Sequence, residues 1–183
     1  MPFSDAASRD LMHTRNLDLR AYRRHDGLWD IEGHITDIKP FDYSMLDSER
    51  TAAEPVHDMW LRLTVDDDFV VRGAKALIDV GAHGPCHEIA HNYAELEGLR
   101  VGPGWNRGIR ERLGGVRGCT HLNDMLGQMA TTAMQALWEV VEEQQDQGDG
   151  HRQLGPGLLN SCHAYGATSP YVKDYFPDYY EGD

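Results

Sequence analysis

The sequence predicts an α+β fold, in which an antiparallel sheet made of two hairpins carries helices packed on one face. Residues 17–38 and 59–78 each alternate between apolar and polar side chains on both sides of a short turn, as β-hairpins do. After Pro85 the apolar residues recur with the helical period instead. Because strands come first and helices later, we expect the helices to cover one face of the sheet.

The two hairpins are predicted from their turns as well as from their strands. The tripeptide His-Asp-Gly stands at 25–27 and three aspartates stand at 66–68, and both are typical of exposed turns. Residues 41–55 are polar and contain several turn formers, so we expect a surface loop between the hairpins. The predicted strands are residues 17–22, 28–38, 59–65 and 69–78.

Three helical segments are predicted in the second half of the chain. Pro85 suits the first turn of a helix, because that turn needs no backbone N–H donor there. A short helical patch covers residues 107–113, and the longest helix is predicted for residues 120–144, where apolar residues stand at core spacing. The buried stripe of the first helix consists of Ile89, Tyr93 and Leu96.

The chain of 183 residues is long enough to bury a core without a metal or a disulfide. Composition changes towards both ends, and the C-terminal segment is rich in tyrosine. We expect that segment to pack on the core or on a partner subunit. The predicted parts are an N-terminal arm (1–16), an α+β core (17–144), a linker (145–157) and an aromatic tail (158–183).

The charge and the cysteines limit the classes of partner. The net charge of −13 repels nucleic acid and anionic membranes, so we expect neither as a partner. The N-terminus has no apolar signal region and no stretch approaches the roughly 20 apolar residues of a membrane span, which favours a cytoplasmic protein. The odd set of Cys86, Cys119 and Cys162 does not suggest a disulfide framework, so each is a free thiol or a ligand, and the alternative is a buried structural cysteine.

Residues 86–91 read Cys-His-Glu-Ile-Ala-His, which resembles the helical zinc-binding motif of metalloproteases. On an α-helix His87 and His91 would lie one turn apart, with Glu88 as the general base. The buried position of Ile89 nevertheless turns both histidines away from the core. No His or Glu that could serve as a third ligand follows Gly98 until Glu111. We therefore expect no proteolytic zinc site here.

A second group of ligands lies further along the chain. Cys119 stands just before the longest predicted helix, where free backbone N–H groups favour an anionic sulfur, and Cys86 has the same placement at its own helix. His121 follows two residues after Cys119, and His57 precedes a strand. The alternative for His57 is an ordinary surface histidine. We predict a divalent metal, zinc or iron, held by His57, Cys86, Cys119 and His121.

Four motifs carry a resemblance to a bacterial family, the domain of unknown function numbered 2889. They read DGLWDIEGH at 26–34, HDMWLRLT at 57–64, GLRVGPGW at 98–105 and GCTHL at 118–122. The resemblance covers most of residues 10–180 and implies no established chemistry. It favours the dispersed set of His57, Asp58, Cys86, Cys119 and His121 over the motif at 86–91, which is not a feature of the family.

The order of elements is also similar to iron–sulfur scaffold proteins of the NifU type, in which an Asp near a strand start and cysteines at helix starts bind zinc or a cluster. This similarity implies comparable places for Asp58, Cys86 and Cys119, with His121 as an extra donor. The spacing departs from the scaffold pattern, because a Gly- and Arg-rich segment separates the two cysteines.

Three functions remain open from the sequence. The first is an enzyme with lyase or hydrolase chemistry on a small aromatic or carbonyl-bearing molecule, in which Asp58, Glu32 or Glu88 moves the proton. The others are a carrier of metal or sulfur and a structural or interaction domain, and any of the three could form a homo-oligomer. Aromatic side chains favour the enzyme, since a small-molecule pocket needs apolar walls. The predicted pocket residues are Trp29, Tyr43, Trp60 and Trp105.

Overall fold

The protein is built on a four-stranded antiparallel sheet, in a computed structural model that describes residues 7–138, 140, 154–155 and 157–183. The strands are β1 (Thr14–Arg23), β2 (Trp29–Ile38), β3 (Tyr43–Ser44), β4 (Glu49–Arg50), β5 (Pro55–Val65) and β6 (Val71–Val80). The main sheet has the order β1-β2-β5-β6, and β3 pairs with β4 in a separate small hairpin. Both predicted hairpins and the α+β class are confirmed.

Two of the strands, β1 and β5, are longer than their alternation predicted, and most of the additional residues lie at the end of the sheet remote from the turns of the two main hairpins. β1 begins at Thr14 and β5 at Pro55, so the pairing of β1, β2 and β5 includes Arg15, Asp37 and His57. The predicted loop at 41–55 contains the β3–β4 hairpin. The extra pairing creates a polar row beyond the apolar core.

Side chains alternate along the two central strands, throughout β2 and from His57 to Val65 in β5. In β2, every second residue from Trp29 to Asp37 is buried, and the residues between them are half-buried. The buried face is covered by helices, and Gly33 allows the closest approach, because a Cβ added there would lie 2.6 Å from Met125 Sδ. The opposite face of the sheet carries polar side chains together with exposed Trp60.

The helical elements are a 3₁₀ helix (Gly84–Leu96), α1 (Trp105–Leu113), a short 3₁₀ turn (Gly115–Arg117), α2 (Thr120–Ala136), α3 (Pro170–Tyr175) and a final 3₁₀ turn (Pro177–Tyr179). The segment after Pro85 is helical as predicted, but it has three residues per turn. Its buried residues, Tyr93 and Leu96, are spaced accordingly. The end of the predicted helix at 120–144 falls partly on residues outside the described ones.

The C-terminal segment has a small core of its own. Leu154, Val172 and Phe176 are buried together, with several tyrosines packed around them. The Ser169 side chain caps α3 by accepting a hydrogen bond from the backbone N–H of Val172. The linker predicted at 145–157 lies mostly outside the described residues. Among the helices that the structure describes, none has the length and apolar character to span a bilayer.

Candidate metal centre

A polar row crosses three strands at one end of the helix-covered face. Arg15 of β1 is the register partner of Asp37 in β2, which is in turn the partner of His57 in β5. All three side chains therefore point to the same side of the sheet, beyond the last apolar row. The start of α2 approaches this row and brings His121 to it, since the His57 and His121 rings are neighbours.

Asp37 is the centre of a hydrogen-bond network. Its side chain is only 1% exposed, and its oxygens accept bonds from Arg15 Nε and Nη2 at 2.7 Å each, from His13 Nε2 at 2.9 Å and from His57 Nδ1 at 2.8 Å. Burial alone would raise the pKa of Asp37, but these hydrogen bonds outweigh it and hold the pKa well below its usual range. Asp37 is therefore ionised at neutral pH.

The network decides which nitrogen of His57 carries a proton. An ionised carboxylate only accepts hydrogen bonds, so Nδ1, which contacts Asp37 Oδ2, must be the N–H donor. In the neutral ring the lone pair is then on Nε2. This arrangement, a carboxylate that orients a histidine, is the one by which many metal-ligating histidines are held in place.

His121, in the first turn of α2, completes the group. The centroids of its ring and the His57 ring are 3.9 Å apart, with the planes tilted by 39°. Burial, followed by the nearby His57 and Arg15, lowers the pKa of His121, which keeps this imidazole neutral and able to bind a metal. One potential ligand atom from each of Asp37, His57 and His121 lies within 4.8 Å of the others, so this group could hold a metal ion.

Cys119 lies beside this group, at the residue that precedes α2. Its Sγ is 3.6 Å from His121 Nδ1. In a tetrahedral zinc site, with Zn–S near 2.3 Å and Zn–N near 2.0–2.1 Å, sulfur and nitrogen ligands are about 3.5–3.6 Å apart. The spacing of the two side chains fits two ligands on one zinc ion, and it is also that of the hydrogen bond which the thiol and the imidazole form here.

The backbone of Cys119 is held by the buried hydroxyl of Tyr93. The Tyr93 oxygen accepts a hydrogen bond from the Cys119 N–H at 3.1 Å and lies 2.8 Å from Asn123 Oδ1, to which it donates. Burial raises the pKa of Tyr93, so the hydroxyl keeps its proton. The 3₁₀ helix that carries Tyr93 thereby fixes the start of α2.

Of the four metal ligands predicted from the sequence, His57 and His121 belong to the group of converging ligand atoms, and Cys119 contacts His121 from outside that group. Cys86 does not belong to the group of ligand atoms found among the described residues. It packs against the end of β6, where a Cβ on Gly81 would lie 2.6 Å from Cys86 Cβ. Sequence reasoning missed Asp37, although a charged residue at the inward position of an alternating strand was a usable signal.

The residues predicted to move protons lie elsewhere. Asp58 and Glu32 point to the open face of the sheet, where Asp58 Oδ1 accepts a hydrogen bond from His34 Nε2 at 2.7 Å. Glu88 is exposed on the 3₁₀ helix, as are His87 and His91. At three residues per turn, residues four apart do not share a face, so the zinc-protease geometry is absent from this described segment.

The four aromatic residues predicted to line one pocket are dispersed. Trp29 is buried and donates its indole N–H to Asp67, Tyr43 lies in the β3–β4 hairpin, and Trp60 is on the open face. Trp105 is buried, donates to the Leu126 carbonyl, and lines a cavity of about 640 Å³ beside α1 and α2.

Comparison with known proteins gives one family. Residues 13–135 match a model described as "Protein of unknown function (DUF2889)", and this range contains every residue of the polar row together with His13, Cys119 and His121. No curated protein and no solved structure matches the chain. The similarity to NifU-type scaffolds is not supported by any match.

Proposed function

The chain belongs to the family described as Protein of unknown function (DUF2889), and we propose that it is a metal-dependent enzyme. The observation that carries this proposal is the convergence of Asp37, His57 and His121 at the start of α2. Two imidazoles and a neighbouring thiol form a donor set suited to zinc, and also to iron.

Within this proposal, Asp37 orients the His57 ring and the other residues bind the metal ion. An ionised carboxylate has about four lone-pair sites, and Asp37 already accepts four hydrogen bonds. A metal on Asp37 would have to displace one of these donors. We therefore assign His57 Nε2 and His121 Nδ1 as ligands, with Asp37 fixing the His57 ring. Cys119 Sγ lies 3.6 Å from His121 Nδ1 but outside the group of converging atoms, so it becomes the third ligand by turning towards the ion.

Three protein ligands leave a coordination position open to a substrate, as in catalytic zinc sites. A divalent cation at this place would act as a Lewis acid towards a carbonyl oxygen, which is the basis of lyase or hydrolase chemistry on a small molecule. His13 is the residue suited to move the proton, because its half-exposed ring donates to Asp37 at the edge of the centre.

Metal content tests the binding step. The protein is purified without a nickel column, loaded with zinc, dialysed and analysed for metal. We expect one zinc ion per chain, its loss in His121→Ala, and its retention in the control His91→Ala, which removes an exposed histidine. A native chain that retains no zinc, or an H91A variant as defective as H121A, would contradict the assignment.

The role of Asp37 is tested by measuring the zinc affinity of variants against that of the native chain. If Asp37 orients His57, Asp37→Asn should weaken zinc binding by about 10–100-fold without abolishing it. Cys119→Ser should weaken it at least as much, whereas Cys162→Ser, at an exposed thiol, should have no effect. Equal affinity of D37N and the native chain would contradict the orienting role.

The catalytic step is tested with the zinc-loaded protein and a panel of small esters, amides and hydroxycarbonyl compounds. We expect turnover that a chelator abolishes and zinc restores, that H121A lacks and that H91A retains. Stoichiometric zinc without turnover of any compound would favour the carrier function over the enzyme.

A further inference from the structure

The face of the sheet opposite the helices is open to solvent. Its side chains alternate with those of the core along every strand, and those on β1 and β6 are largely exposed. Trp60 and Leu77 lie side by side at its centre and are 39% and 49% exposed. Aromatic residues are enriched at the centres of protein–protein interfaces, so Trp60 beside Leu77 is a candidate centre for one.

The open face is organised in rows of register partners that run across the four strands. The central row joins Asp18, His34, Trp60 and Leu77. In it, the His34 ring stacks flat on Trp60, with centroids 3.7 Å apart and planes 6° from parallel. His34 also donates to Asp58, so the Trp60 indole is held in one orientation without help from the core.

The rows on either side of the central row have opposite charge. One contains three cations and one carboxylate, the other one carboxylate and no cation. Asp79, in the bulge of β6 next to the second row, adds a further negative charge there. The first row is Arg20, Glu32, Arg62 and Lys75, and the second is Asn16, Thr36, Asp58 and Val80.

This distribution makes the face complementary to itself. A two-fold axis along the central row would lay one sheet on another and exchange the flanking rows. Asp58 would then face Arg62 of the partner subunit, and Trp60 would face the partner's Trp60. We propose that the open face is the interface of a homodimer in which two copies of this chain pack sheet on sheet, with Trp60 at the centre.

The size of the face suits this partner. Four strands about 4.8 Å apart and about ten residues long, at about 3.4 Å per residue, cover about 650 Å² before side-chain relief is counted. A stable interface buries about 800 Å² of accessible surface on each partner. A rigid tryptophan at the centre, surrounded by charged residues, matches the usual anatomy of such interfaces.

A charge exchange on β5 tests the pairing. In Arg62→Glu, the new carboxylate would face the partner's Asp58, and in Asp58→Arg two cations would face each other. Each variant alone should dimerise about a hundredfold more weakly than the native chain. Mixed together they should form a heterodimer, because both cross-interface pairs are then attractive. Sedimentation velocity measures the mass, and circular dichroism checks that each variant is folded.

Three further variants sharpen the test. Lys75→Glu and Asp79→Lys repeat the exchange on β6, so the test does not depend on β5 tolerating its substitutions. Arg107→Glu reverses an exposed charge on α1, whose side chain is 76% exposed, and should leave the dimer intact. A native chain that is monomeric at micromolar concentration would overturn the proposal. Folded variants that stay dimeric alone, or a mixture that fails to associate, would overturn it as well.

Discussion

Replacing Asp37 by Asn is expected to destabilise the metal-free protein by about 3 kcal/mol. Each Asp37 oxygen accepts two hydrogen bonds, Oδ1 from His13 and Arg15, Oδ2 from Arg15 and His57. In either orientation, the Asn amide nitrogen would face one Arg15 N–H, which cannot accept a hydrogen bond, and one histidine nitrogen, which accepts only after the ring changes tautomer. A hydrogen bond to a charged group contributes about 1.5–3 kcal/mol, so the lost Arg15 bond, together with the loss of the charge from the other bonds, costs about 3 kcal/mol.

A larger cost is not expected, because the unpaired Arg15 donor can turn to water. The side chains of His13 and Arg15 are 40% and 41% exposed, whereas that of His57 is 9% exposed and keeps a partner only by changing its tautomer. For a protein of this length, about 3 kcal/mol corresponds to a fall of roughly 6–12 °C in the unfolding midpoint.

Thermal unfolding followed by circular dichroism, in the presence of a chelator, measures this fall. Asp26→Asn is the matched control, because Asp26 also accepts two hydrogen bonds from one arginine, Arg24, but lies in the exposed turn between β1 and β2. Its midpoint should not change measurably. Equal midpoints for D37N and D26N would refute the stabilising role of the buried network.

The difference in stability between the native chain and D37N should depend on pH. The pKa of Asp37 is lowered from an ordinary value of 3.8, so the ionised side chain stabilises the folded state above that value. The stabilisation is lost as the pH falls below 3.8 towards the lower folded-state pKa. The difference in the free energy of unfolding between the native chain and D37N should therefore be constant at neutral pH and shrink in strong acid. A difference that grows in acid would contradict this sign.

Three other predictions concern the centre and the packing beneath it. Saturating zinc should raise the unfolding midpoint of the native chain but not of H121A, since only a folded site that binds zinc is stabilised by it. Tyr93→Phe should cost about 1–2 kcal/mol and speed the reaction of Cys119 with a thiol reagent when the other cysteines are serine, because the hydroxyl that holds its backbone is removed. Gly33→Ala should cost about 1–3 kcal/mol in chemical denaturation, and the cost of Met125→Ala should be smaller in G33A than in the native chain, because the clashing sulfur is already absent from the double variant.

The sheet was predictable because period-two alternation is a local signal. The ends of its strands were not, because the residues there are polar and the alternation of apolar side chains stops. Arg15 and His57 continue β1 and β5 in the structure, at positions where only pairing with a neighbouring strand identifies them as strand residues. The same limit hid Asp37, whose partners come from two other strands and could not be assigned before the register was known.

The start of α2 was predictable for a different reason. Cys119 and His121 are close in sequence, so their ligand chemistry is visible without a fold. Cys86 looked equivalent because Pro85 marks a helix start. However, the segment is a 3₁₀ helix, and its tight turn directs Cys86 against Gly81 instead.

Strand alternation also explains how one chain can carry both proposed surfaces. His57 and Asp58 are neighbours in β5, and the sequence grouped them in one site. Consecutive residues of a strand point to opposite faces, so His57 reaches the centre under α2 while Asp58 and Trp60 reach the open face. A dimer formed through the open face would therefore leave the metal centre uncovered. The two surfaces share a strand but no side chain, which lets substitutions on one leave the chemistry of the other intact.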